Sequence, residues 1–260
     1  MTEAVHTPVN LGLAGRIVLV TGGVRGIGAG IADVLEELGA TPVVCARRPG
    51  DNADREFHAC DVRDPDAVAE MIDAIVAEHG RIDGVVNNAG GSPFALAADA
   101  SDRFTQKIIE LNLLAPVIVA RAAHAVMAKQ EGGGAIVNVS SVSGHRPSPG
   151  TSAYGAAKAG LDNVTGSLAV EWAPEVRLNS VICGPVETEL SHLHYGDDDG
   201  IAAVGATIPM GRLAQPADIG NAVAFLLSPL ASYISGSALT VHGGGEKPAF
   251  LSAGNSGNDV

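Results

Sequence analysis

Tyr154 and Lys158 stand four residues apart in "AYGAAKAGLDN", a stretch with a helical pattern. In a helix that spacing sends both side chains out of one face, one turn apart. A free phenol, with a pKa of ~10, is a poor base at neutral pH, and an ammonium beside it stabilises the phenolate and lowers that pKa toward the working range. The pair could therefore move a proton to or from a substrate oxygen. Taken singly, Tyr154 could equally be a packing residue and Lys158 a solvated helix charge.

A second feature is "TGGVRGIGAG" at 21–30, which follows the apolar run "IVLV". Where a strand feeds a helix at the first turn of an α/β sheet, a pyrophosphate can meet the helix N-terminus. Gly22, Gly26 and Gly28 occupy that turn, with Ile27 between the last two. Glycine permits the bend, removes the Cβ that would block a phosphate, and lets the helix lie close to the strand. The spacing TGxxxGxG is one residue longer than the common dinucleotide fingerprint, and a glycine trio alone could be an ordinary turn.

The elements needed to position these groups can be read along the chain. Apolar runs end at Thr21, Ala46, Asn88, Ser141, Cys183 and Gly243, and helical patterns cover about 26–39, 64–79, 101–130, 152–173 and 216–228. Near-continuous apolar strands indicate burial on both faces, as in a parallel sheet between helical layers. In "DPDAVAEMIDAIVAEHG", Asp64 can cap the helix, Pro65 suits its first turn, Val68, Met71, Ile72, Ile75 and Val76 recur at helical spacing, and Gly80 ends it. The alternation predicts an α/β fold with a doubly wound parallel sheet flanked by helices on both faces. The span 188–211 reads as a loop with short helical pieces, and the final "SAGNSGNDV" as a frayed tail.

Five motifs occur in order, each beside a strand end or helix start: "TGGVRGIG" at 21–28, "NNAG" at 87–90, "NVSS" at 138–141, "YGAAK" at 154–158 and "GPVET" at 184–188. Together they resemble the short-chain dehydrogenase/reductase family over about Gly15 to Gly245. The resemblance implies a single Rossmann-type domain over 1–260, binding a nicotinamide cofactor and carrying its own substrate pocket, with 1–14 as an extension, 188–211 as the substrate loop and 246–260 as a tail. It further implies that Tyr154 exchanges the proton with the substrate oxygen and that Lys158 also holds the nicotinamide ribose. By the same similarity Ser141 hydrogen-bonds the carbonyl or alkoxide oxygen, and Asn112, in "ELNLLAP", holds a water in the proton relay.

The cofactor is read from the residues after the second strand. NAD-preferring sheets usually present an acidic side chain there, about twenty residues beyond the glycines. This chain has "CARRPG": Ala46 cannot play that part, whereas Arg47 and Arg48 can pair with a 2′-phosphate. Arg25 is similarly placed in family members that use the phosphorylated cofactor. NADP(H) is therefore expected, with NAD(H) open because Asp51 could turn toward the ribose. The resemblance places Asp61 and Val62 at the adenine, Asn88, Ala89 and Gly90 beside the adenine ribose, and Val186 and Thr188 beside the carboxamide. One departure is Cys183, where the family usually has proline before the glycine of the last motif, so the turn toward the nicotinamide could be shaped differently.

Composition bounds the partners. With 16 basic against 29 acidic residues, the 260-residue chain carries −13, which repels phosphate backbones and anionic lipid at long range. No nucleic-acid or membrane partner is expected: the first residues lack a signal-peptide pattern, no segment approaches the ~20 apolar residues of a membrane span, and a cytoplasmic location follows. Cys45, Cys60 and Cys183 read as buried thiols, and His192, His194 and Asp197–Asp199 lack the second cluster a metal would need. His145 and Arg146 could attract an anionic substrate or simply be loop charges. By resemblance the helices at 101–130 and 152–173 pair subunits into a homotetramer. The leading expectation is an NADP(H)-dependent enzyme acting on a small-molecule ketone or secondary alcohol. The alternatives are an NAD(H)-dependent dehydrogenase and a dinucleotide-sensing protein without turnover.

Overall fold

The computed structural model describes residues 10–50 and 54–253; Asp51, most of the N-terminal extension and the last seven residues lie outside it. Strands β1 (Ile17–Thr21), β2 (Thr41–Ala46), β3 (Phe57–Ala59), β4 (Gly84–Asn87), β5 (Gly134–Ser141), β6 (Val176–Cys183) and β7 (Ala238–Val241) form one sheet in the order β3-β2-β1-β4-β5-β6-β7. Every pairing is parallel. This is the doubly wound α/β topology, in which the strand order turns back between β1 and β4. The sequence reading missed β3, whose three residues are too few to show a periodicity.

Strand burial on both faces follows from the two-residue period. Ile17 and Leu19 enter one core, while Val18 and Val20 enter the other. The first core packs against α2 (Pro65–His79) through Val68, Met71, Ile72 and Ile75. The second packs against α1 (Gly26–Glu37) and α8 (Pro216–Leu227) through Ile31, Leu35, Ile219 and Val223. A Cβ on Gly30 would lie 2.3 Å from Pro216 Cβ, and one on Gly220 would lie 2.8 Å from Val34 Cγ2, so α1 and α8 touch at glycine. Helix α2 starts and stops where its sequence dictates. The Asp64 carboxylate accepts from the Asp66 and Ala67 N–H groups, and Gly80 closes the helix at φ +75.

The stretch expected as one helix at 101–130 is one helical run over Asp102–Met127, in which α3 (Asp102–Ile109) passes through a π-helical turn (Glu110–Leu114) into α4 (Ala115–Met127). Pro116 supplies no N–H to the carbonyl of Asn112 four residues earlier and its ring crowds that carbonyl, so the turn before it widens. The 26-residue run Asp102–Met127 is long and apolar enough to cross a membrane by composition, which corrects the expectation that no segment approaches such a length. In this fold Val119, Ala120, Ala123 and Met127 are spent on the first core. Helices α5 (Ser152–Glu171), α6 (His192–Tyr195), α7 (Asp198–Thr207) and α9 (Ala249–Ala253) complete the α-helices among the described residues, with α6 and α7 as the helical pieces of the 188–211 segment.

Candidate active site

The carboxyl ends of β1, β4, β5 and β6 gather the sequence-derived residues at the point where the strand order reverses. Thr21, the last residue of β1, is buried; its Oγ1 accepts the N–H groups of Asn88 and Ala89, each at 3.0 Å. The Asn88 amide donates to Thr21 O at 3.0 Å and Gly22 O at 3.3 Å. These bonds lock the glycine turn to the end of β4. Gly22 and Gly26 have φ of +65 and +53, a region that favours glycine. Gly28 is a glycine for another reason than a phosphate's approach: a Cβ there would lie 2.3 Å from Gly22 O and 2.4 Å from Asn88 Nδ2. Chain packing, not ligand access, excludes that side chain.

Gly26 faces outward, with nothing nearer a Cβ than Thr188 Cγ2 at 3.5 Å and the Glu189 carboxylate beyond it. Arg25, exposed and in extended conformation, precedes α1 without a side-chain cap, while Ile27 packs on the second core. An uncapped N-terminus on a twelve-residue helix, an adjacent guanidinium and an open glycine fit a pyrophosphate. The neighbouring groove, about 690 Å³, is lined by Gly26 and Thr188 but also by Asp33, Glu37, Glu187 and Glu189. The glycine motif carried no sign of these acids.

At the expected adenosine end, Arg47 and Arg48 are exposed at the end of β2. Asp61 is engaged within the chain: Arg63 Nε donates to it at 2.9 Å and Arg63 Nη2 at 2.6 Å. That hydrogen bonding, with the Arg63 N–H and the charge of Arg47 helping against partial burial, takes its pKa down to about 2. Val62 is buried beside it in the first core. The carboxylate expected to accept from an adenine amino group is thus held by an arginine, and Arg63 is a residue the sequence reading passed over.

The third cluster joins β5, α5 and the π-helical turn. Ser141 ends β5, its Oγ accepts the Ser143 N–H at 3.2 Å, and its hydroxyl acts on the Tyr154 phenol, favouring the phenolate. Lys158, 3% exposed, places Nζ 5.6 Å from the centroid of the Tyr154 ring and donates to Val139 O at 2.7 Å. Asn112, fully buried, donates to Gly91 O at 2.9 Å and Ile108 O at 3.0 Å and accepts the Gly91 N–H at 2.8 Å. Gly90 lies between the two: a Cβ there would be 2.7 Å from Asn112 Oδ1 and 3.6 Å from Lys158 Nζ.

The electrostatics differ from the simple expectation of a lowered phenol. Burial pushes Tyr154 up to about 12, with the Ser141 hydroxyl pulling the other way. Burial also brings Lys158 down to about 8 and pushes the Cys183 thiol up to about 12. The Lys158 ammonium, bonded to Val139 O and 5.6 Å from the Tyr154 ring centroid, does not outweigh the phenol's desolvation.

Cys183 leaves the strand regular: it pairs with Ser141 on one side and Val241 on the other, and Gly184 N–H donates to Val241 O at 2.9 Å. Val186 then bridges to Ala214, and Thr188 N–H donates to Ser191 Oγ at 2.9 Å. The loop charges are paired: His145 Nε2 lies 2.9 Å from Asp162, and Arg146 donates to Glu246 at 2.5 Å. Phe94, though exposed, crosses Gly150 so closely that no Cβ fits there, and Ala95 N–H donates to Gly150 O at 2.8 Å. Thr21, inside the glycine motif, and Asp162, just beyond "YGAAK", are the site residues that the sequence left unassigned. Their signals were a hydroxyl at a strand end and a carboxylate one turn past Lys158.

The profile of a family described as Enoyl-(Acyl carrier protein) reductase matches residues 22–246. The chain is 37% identical over 245 residues to 3-oxoacyl-(acyl-carrier-protein) reductase FabG of Vibrio cholerae serotype O1, covering 90% of this chain and 98% of that one. It is also 37% identical to cis-4-hydroxycyclohexanecarboxylate dehydrogenase of Sinomonas cyclohexanicum, covering 89% and 96%. Among solved structures, ligand-free aldohexose dehydrogenase of Thermoplasma acidophilum superposes with a TM-score of 0.86 at 32% identity, covering 91% of this chain and 96% of that one.

Proposed function

Because the chain belongs to the short-chain dehydrogenase/reductase family of oxidoreductases, we propose that it transfers hydride between NADP(H) and a small or medium-sized ketone or secondary alcohol. The nicotinamide, when bound, supplies or accepts the hydride; everything else falls to this chain's own groups. Ser141 offers a hydroxyl to the substrate oxygen and favours the phenolate of Tyr154. Tyr154 holds the proton that the oxygen gains in reduction or loses in oxidation. Lys158 supplies a buried positive charge one turn away, and Asn112, bonded to Gly91 and lying beside Gly90, anchors the relay on the β4 side. Arg25 and Arg47 are the groups for a 2′-phosphate, the open Gly26 at the start of α1 leaves room for the pyrophosphate, and Val186 and Thr188 are the groups for the carboxamide.

One observation carries the reading: Ser141, Tyr154 and Lys158, from two elements, meet beside the crevice of a doubly wound sheet. The three proteins are named for a 3-oxoacyl-(acyl-carrier-protein), a cis-4-hydroxycyclohexanecarboxylate and an aldohexose, so the shared chemistry is a CH–OH/C=O carbon rather than one scaffold. The test is a panel of such alcohols and ketones, followed at the reduced-nicotinamide absorbance with both cofactors. Tyr154→Phe is expected to lower kcat by at least ~100-fold with cofactor Kd within a few-fold of wild type. A Tyr154→Phe protein as active as wild type overturns the assignment. A sensor without turnover would bind cofactor yet reduce no member of the panel.

The proposal extends to a homo-oligomer in the cytoplasm built on α4 and α5. The exposed apolar side chains of Leu114 and Val170 sit at these helices and support it. A size-exclusion mass of one 26.2 kDa chain would end that part.

A further inference from the structure

Asp162 lies four residues past Lys158 and eight past Tyr154 on α5, so the three side chains form one stripe along the helix. Its side chain is 11% exposed. Oδ2 accepts from Ser140 Oγ at 2.8 Å and pairs with His145 Nε2 at 2.9 Å, while Oδ1 is buried without a hydrogen-bond partner. A carboxylate so placed is costly unless positive charge answers it. Lys158 has the converse problem, since the bond from its ammonium goes to the neutral carbonyl of Val139.

The groups facing Lys158 are Tyr154 on its own helix, Val139 on β5, Asn112 in the π-helical turn and Cys183 on β6. Tyr154 and Cys183 both titrate near 12 and are neutral over the range where such chemistry runs. Asp162 is then the anion that acts on Lys158 among the described residues. Asp162 itself is faced by Lys158 on α5, Ser140 on β5 and His145 in the loop after β5.

We propose that Asp162 is a positioning residue: it keeps the buried ammonium of Lys158 charged and, through Ser140 and His145, ties the end of β5 and the following loop to α5. The role rests on the reading of Lys158 as the phenol's partner under "Proposed function". It acts through Lys158 and touches neither substrate nor cofactor.

The experiment titrates lysine carrying ¹³C at Cε by NMR in the cofactor-free protein. The chain has four lysines, at 107, 129, 158 and 247, so Lys158→Arg assigns the resonance. In Asp162→Asn, Lys158 is expected to titrate about one pH unit below its wild-type position, and Asp162→Glu to restore most of the difference. The alkaline limb of kcat/KM should move by the same amount, with kcat/KM at pH 6 within about three-fold of wild type. Should Asp162→Asn not fold, Asp162→Ser, smaller and still able to bond Ser140, gives the same readout. A Lys158 titration unmoved in these variants overturns the proposal, as does a loss of activity equal at every pH and shared by Asp162→Glu. A wild-type protein inactive on every alcohol and ketone would end the functional reading instead, leaving the titration to decide the role of Asp162.

Discussion

Arg47 follows β2 with its side chain exposed and its charge acting on Asp61, where a 2′-phosphate would need it. A charge-assisted hydrogen bond is worth about 1.5–3 kcal/mol, or roughly 10–100-fold in binding. Arg47→Ala is therefore expected to raise KM for NADP(H) by ~10–100-fold and KM for NAD(H) by less than ~3-fold. An unchanged ratio of the two, measured by initial rates, would remove Arg47 from cofactor choice. The sequence shows such single residues clearly where their type and spacing imply one chemistry, as with Tyr154 and Lys158 at one helical turn. Asp162 belongs to the same stripe yet went unread, because a carboxylate on a helix is ordinarily solvated and only the fold reveals that this one is buried against Ser140. The direction of the Tyr154 shift was hidden for a related reason: spacing gives the distance along a helix but not the desolvation around it.

Elements place these groups through contacts that leave no room for side chains. Gly28, in the first turn of α1, sits directly against the Gly22 carbonyl and the Asn88 amide, while Gly166 on α5 has nothing within 4 Å of its Cβ position. Gly28→Ala should force α1 away from β1 and cost about 1–3 kcal/mol, seen as a lower urea midpoint. Gly166→Ala should stabilise α5 by up to about 1 kcal/mol. Equal effects from the two would mean that the turn tolerates the displacement. The strand and helix order was legible because both apolar periods are strong, and so were the Asp64 and Gly80 boundaries of α2. The π-helical turn was not, although Pro116 marked the interruption: a proline shows that the Asn112 carbonyl loses its donor, without showing that Asn112 lies across Gly90 from Lys158.

Across the whole molecule the chemistry gathers at the carboxyl ends of the strands, and a separate charge cluster holds the amino ends. Asp83, with its side chain 5% exposed just before β4, accepts from Arg16 at 2.8 Å, from Arg81 Nε at 2.9 Å and from the Ile17 N–H at 2.9 Å. Its own N–H donates to Ile17 O at 2.8 Å, and its carbonyl accepts the Ala135 N–H at 3.0 Å, so one residue ties β1, β4 and β5 together. Burial raises the pKa of this carboxyl, and the hydrogen bonds from Arg81, Ile17 and Arg16 more than reverse that, leaving it below the ordinary value. A carboxyl whose folded pKa is depressed adds stability above its unfolded pKa of ~3.9, and that contribution is lost as pH falls through the lower folded value. Asp83→Asn keeps the shape and removes the charge, so at pH 7 it should cost about 1–3 kcal/mol, a fall in Tm of roughly 3–10 °C. The gap to wild type should narrow below about pH 4, where the carboxyl of the unfolded chain takes up its proton before that of the folded chain, and close as pH falls through the lower folded value. Because Asp83 lies at the opposite end of the strands from Ser141 and Tyr154, kcat at pH 7 and 25 °C should stay within about two-fold. Calorimetric scans at pH 7 and pH 3 read the difference: a Tm gap that persists undiminished at pH 3 would show that shape rather than charge makes Asp83 matter.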